Sequence, residues 1–113
     1  MAATSDDARL VVELAQWGAM MGLQDAVSAI FDEGFDPETA NANDDPVRIA
    51  LYFNETIGTL VKNGLLDKDL VLDWLWVRGI WDRVGPAALR AREQFGVPAL
   101  YENFEALANQ QPN

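Results

Sequence analysis

At 113 residues, half of them apolar, the chain has the length of one domain and a globular composition, and its core needs no disulfide or metal to hold it. Eighteen acids against eight bases leave a net charge of −10, which repels phosphate backbones and anionic leaflets, so neither a nucleic acid nor a membrane is an expected partner. The absence of both His and Cys removes Ser-His and Cys-His nucleophiles, thiolate chemistry and almost every transition-metal site.

The first residues, Met1 to Asp7, have no basic start of the kind a signal peptide needs, and no stretch approaches the roughly 18 unbroken apolar residues of a membrane span. The cytoplasm is the expected location. The acidity is uneven: residues 1–57 carry eleven acids against Arg9 and Arg48, whereas residues 58–113 carry seven against six bases.

Ser5 or Asp6 can cap a first helix in which Leu10, Leu14, Trp17 and Met21 recur at spacings of 4, 3 and 4, one buried stripe. The pattern resumes with Leu23, Val27, Ile30 and Phe31, so residues 6–33 form either one long bent helix or two helices joined near Gly22. Residues 34–45 have no sustained period and are rich in turn formers, which makes them the one substantial loop. Asn41, Asn43 and Asp45 alternate there, but Pro46 and Tyr52 occupy the places where a calcium loop needs Gly and Glu.

Asp45 as N-cap and Pro46 in the first turn open the next helix, whose apolar face is Ile49, Phe53, Ile57, Leu60 and Val61 and which stops near Gly64. Asp67 caps a third helix from about Asp69 to Val84, and ten of the fifteen residues from Leu70 to Val84 are apolar. A helix apolar nearly all round is covered on most sides, so this Trp-rich element is expected at the centre. Its main stripe is Leu70, Trp74, Val77, Trp81 and Val84. Gly85-Pro86 is expected to end it and to begin a helix over 86–95, Gly96 closes that one, and Pro98 opens a last helix carrying Leu100, Phe104 and Leu107. The tail 109–113 is expected to fray. The fold class is therefore all-α: one domain, ordered over about 6–108, built as a compact bundle of four to six helices.

No nucleotide-binding motif is present, and close pairs of carboxylates are unavoidable among eighteen acids, so capping and solvation explain them better than a catalytic dyad does. No cofactor is implied. Three of the four tryptophans, Trp17, Trp74 and Trp81, lie on core stripes, whereas Trp76 projects to another side with Leu72, Ile80 and Arg83. Those four residues are the candidate interface or pocket. Arg78 and Asp82 are spaced as an i,i+4 pair and Glu55 is placed to meet Arg78 or Arg83, so Glu55, Arg78 and Asp82 are the candidate buried ion pair that fixes helix register.

The run Tyr52 to Val71, with its Gly64-Leu65-Leu66-Asp67 turn between two apolar helices, followed by Trp81, Leu89-Arg90-Ala91-Arg92-Glu93 and Leu100-Tyr101-Glu102 with Phe104, resembles the bacterial domain-of-unknown-function 4760 family over about 45–108 and more loosely through the N-terminal helices. The resemblance implies a compact helical fold and brings no activity, cofactor or catalytic residue. Members of that family often carry an N-terminal membrane segment, and none is expected here.

The function expected from these features is a small acidic protein-interaction module that self-associates, a symmetric homodimer being the commonest assembly for an apolar helix face. Binding of a small apolar ligand between helices, with Trp76 and Arg83 at the mouth, is the alternative. An enzyme is the least favoured class.

Overall fold

A computed structural model describes residues 2–112. Six helices follow in chain order: α1 (Ser5–Met21), α2 (Leu23–Ile30), α3 (Asp45–Lys62), α4 (Lys68–Trp74), α5 (Val77–Phe95) and α6 (Glu102–Asn109). No strand occurs among the described residues. The fold class is the all-α bundle that the hydrophobic periodicity predicts. Among the described residues no helix is long and apolar enough to cross a membrane.

The N-cap of α1 is Thr4, one residue before the expected Ser5. Thr4 Oγ1 accepts the Asp7 N–H at 3.2 Å and Asp7 Oδ2 accepts the Thr4 N–H at 2.8 Å, a reciprocal capping box. The other oxygen of Asp7 accepts the N–H of Asp67 at 3.1 Å, so the same carboxylate ties the start of α1 to the cap of α4. The Thr4 backbone N–H, chiefly, holds the Asp7 carboxyl below the usual carboxylate range. Asp67 Oδ2 caps α4 by accepting the Leu70 N–H at 2.9 Å.

Gly22 settles the open choice over residues 6–33. Its φ of 81° is left-handed, a conformation that ends α1 and turns the chain into a separate α2. The cap of α3 is Asp44 and Pro46 is the second helical residue, one position from the expected arrangement.

The centre of the bundle is α3. Val47, Ala50, Leu51, Phe53 and Ile57 are wholly buried on it, and it packs against α2, α5 and α6. Phe53 receives Trp17 at 5.5 Å and Trp74 edge-on at 6.2 Å between ring centroids, and Trp81 meets Phe104 of α6 edge-on at 4.9 Å. Three of the four tryptophans thus pack against core phenylalanines.

The Trp-rich stretch is not one helix. It breaks after Trp74, and α5 begins at Val77. Conversely, the expected stop at Gly85-Pro86 is not a stop, and Pro86 lies inside α5. A proline normally forces the preceding residue out of the helical region by colliding with its Cβ. Gly85 has none, and a Cβ there would lie 2.8 Å from the Trp81 ring, so Gly serves both the proline and the packing.

Helix α6 starts at Glu102, later than the Pro98 signal suggests, because Tyr101 takes a left-handed φ of 60° immediately before it. The Glu55 carboxylate of α3 supplies the cap that Tyr101 does not. Glu55 Oε1 accepts the Phe104 N–H and Oε2 accepts from Asn103 Nδ2, each at 2.9 Å. The C-terminal tail, expected to fray, is held as far as Gln111, which is only 9% exposed.

Candidate protein-contact face at the α4–α5 junction

Leu75 is extended (φ −118°, ψ 141°) and Trp76 has φ −87° and ψ 70°, so two residues without helical geometry interrupt a sequence whose apolar period continues across them. Such a break orphans carbonyls at the end of α4 and N–H groups at the start of α5. One side chain takes up three of them. Gln111 Nε2 donates to the carbonyls of Leu72 and Leu75 at 2.9 Å each, and its Oε1 accepts the Arg78 N–H at 2.8 Å. Arg78 returns a long contact of 3.5 Å to the Gln111 carbonyl.

The break turns Trp76 outward. Its side chain is 61% exposed, yet it is positioned on two sides. Gly79, one turn into α5, lacks the Cβ that would collide with the indole, so the ring lies against the helix backbone. Phe31, which follows α2, stacks with the indole at 5.7 Å and an interplanar angle of 6°, and is itself 39% exposed. Arg83 fixes the segment that carries Phe31. Its Nε donates to the Ile30 carbonyl at 2.7 Å and its Nη2 to the Phe35 carbonyl at 3.2 Å, with the guanidinium 5.2 Å from the Phe35 ring centroid and 5.9 Å from that of Phe31.

Next to this aromatic pair, α1, α2 and the end of α4 enclose an open groove of about 540 Å³. Ala15, Ala19, Leu23, Val27, Trp74 and Leu75 give it an apolar lining, and Asp25 sits on its wall. Val27 lines the groove and precedes Phe31 by one helical turn, so the aromatic pair borders the groove on its α2 side. Met20, on the α1 side, is 86% exposed.

The four residues expected to share one surface are thus divided. Trp76 is on the surface and Ile80 belongs to the buried core, while Leu72 is half-buried against that core and Arg83 is committed to backbone carbonyls. The expected ion pair is not formed among the described residues. Glu55 caps α6, Arg78 turns to Gln111 and Asp82 is exposed. Arg78 and Asp82 remain one turn apart within α5, but Arg78 is drawn to Gln111 and Glu55 is taken up by the start of α6. The partly buried ion pair of the bundle is Arg92 with Glu105, at 3.0 Å.

Phe31, Gly79 and Gln111 belong to the face and had no signal at the level of the sequence. Phe31 reads as the end of a core stripe, and nothing local distinguishes Gln111 from its neighbours in a polar tail.

No curated protein and no solved structure matches the chain. A family model described as a domain of unknown function, DUF4760, matches residues 3–111, including both N-terminal helices and the Gln111 latch. The chain belongs to the DUF4760 family.

Proposed function

We propose that this protein is an interaction module whose contact face is the strip formed by Trp76, Phe31 and the α1–α2–α4 groove. The observation that carries this reading is Trp76 itself: a large aromatic side chain, more than half exposed, yet positioned by Gly79 beneath it and by the Phe31 ring. A pre-positioned aromatic gives much contact area at little entropic cost on binding, which is why tryptophan dominates interface hot spots.

The homodimer expected from the sequence is one form of this function. Its original basis, a helix apolar all round, passes to the Trp76 strip, since the two halves of that helix bury their other apolar sides in the core. A small apolar ligand is less well supported, because Arg83 is engaged by two carbonyls and the groove is open.

A photo-cross-linking residue placed at position 76, compared with the same residue at Leu65, which is as exposed but lies elsewhere, tests the proposal in cells that express the full chain. Capture of a protein from position 76 and not from position 65 is the expected result. A product of twice the chain mass would identify a second copy as the occupant. Equal capture from the two positions would overturn the assignment of the face.

A further inference from the structure

The charges around the Trp76 strip are predominantly negative. Residues 10–47, which supply α1 beyond Arg9, all of α2 and the Phe31 segment, contain eight acids and no Lys or Arg. Asp25 stands on the groove wall, Asp32 and Glu33 follow Phe31 directly, and Asp73 is exposed one residue before Trp74. Two cations offset part of this charge: Arg83, tied to the carbonyls of Ile30 and Phe35, and Arg78, 3.5 Å from the Gln111 carbonyl, so these four acids stand against two arginines.

We propose that the occupant of this groove is a basic amphipathic helix of a partner protein. The inference rests on the interaction-module reading above and names the chemistry of its partner. An open apolar groove takes a helix by its apolar face, with anchors at every third or fourth position. The Lys and Arg on the flanks of such a helix would then lie over Asp25, Asp32, Glu33 and Asp73. Complementary potentials of this kind speed encounter and reject acidic competitors. A second copy of the chain suits the same strip poorly, because a two-fold contact brings each patch against itself and hence acids against acids.

The test titrates the full chain with three synthetic peptides of about 18 residues, enough for five helical turns. One has a Leu face and Lys flanks, the second the same Leu face with Glu flanks, and the third the Lys residues with Gln in place of Leu. Calorimetry is expected to show binding of the Lys/Leu peptide alone. Trp76→Ala should weaken it at least about tenfold, and Asp25→Asn with Asp73→Asn should weaken it and flatten its dependence on salt. Both sets of substitutions are at exposed positions and leave the core intact.

Equal binding of the Glu/Leu peptide would overturn the basic-partner inference and leave the contact face standing. Binding of the Lys/Gln peptide as tightly as the Lys/Leu peptide, or Lys/Leu binding indifferent to Trp76→Ala, would reduce the effect to bulk charge and overturn it too. If no peptide binds, the inference fails; the cross-linking pattern from position 76 then decides whether the interaction-module reading fails with it.

Discussion

Gln111 donates its carboxamide to the carbonyl of Leu75 at 2.9 Å, across 36 positions of sequence, and so closes the one interruption in the apolar stretch from Leu70 to Val84. The bond belongs to a set of three that satisfies both sides of the break, with Leu72 and Arg78 as the other partners.

Gln111→Ala should therefore cost more than a typical tail substitution. Two carbonyls and one N–H lose their partner in a half-buried site, and a loss of about 2–3 kcal/mol is expected, read as a lower urea midpoint. Gln111→Glu should be at least as damaging at neutral pH. Its carboxylate has no donor for the two carbonyls and sets a charge against them. A midpoint unchanged in both variants would show that the α4–α5 break is stable without the latch.

What the sequence revealed and what it hid divide along this same line. Caps, stops and stripes are local, and Asp67, Gly96 and the core positions Phe53, Ile57, Val77, Val84 and Phe104 can be found from spacing alone. The break at Leu75 has no Gly or Pro to mark it, and the side chain that satisfies its carbonyls lies near the other end of the chain. The opposite error occurs at Gly85-Pro86, where the helix runs on through a strong local stop: Gly85 has no Cβ to collide with the proline ring, and the packing of α5 on α3 and α6 offsets the hydrogen bond that Pro86 cannot donate. The exceptional side of Trp76 is legible, since it falls off the main stripe. Its companions Phe31 and Gly79 are not, because the stack depends on how α2 meets the junction.

Gly58 offers a case in which two effects predict opposite signs. In an exposed helix Gly→Ala gains about 1 kcal/mol of helix propensity. A Cβ at Gly58 would lie 2.5 Å from the Asn103 carbonyl oxygen and 2.7 Å from its carbon, both backbone atoms at the start of α6. Overpacking against backbone costs about 1–3 kcal/mol, and Glu55 grips the same turn through Phe104 and Asn103. Gly58→Ala should therefore destabilise the protein on net. Measured stabilisation would mean that α6 can move away from α3 at little cost.

Tyr101 should make the fold sensitive to alkali. Burial pushes its phenol up from the ordinary value of 10.0, and the Glu55 carboxylate adds to the shift. A group whose folded pKa is raised keeps its proton more firmly in the native state, so its contribution is complete below the unfolded pKa. It is lost as pH rises from about 10 through the folded value. Urea midpoints measured between about pH 8 and pH 11 should fall more steeply in the native protein than in Tyr101→Phe. Parallel curves would show that other groups carry the alkaline sensitivity.

Gly79→Ala separates the contact face from the stability of the fold. The new methyl would occupy the space of the Trp76 indole, which is the mobile partner because it is largely exposed. The ring must swing away and lose its stack on Phe31, a loss of about 0.5–1.5 kcal/mol, while alanine returns about 1 kcal/mol of helix propensity. These nearly cancel, so the urea midpoint should hardly change. The indole N–H resonance of Trp76 should nonetheless shift as it leaves the Phe31 ring, and affinity for the Lys/Leu peptide should fall much as it does in Trp76→Ala, although the tryptophan is still present. Binding that survives with the indole displaced would show that area alone, rather than the position set by Gly79 and Phe31, suffices at this face.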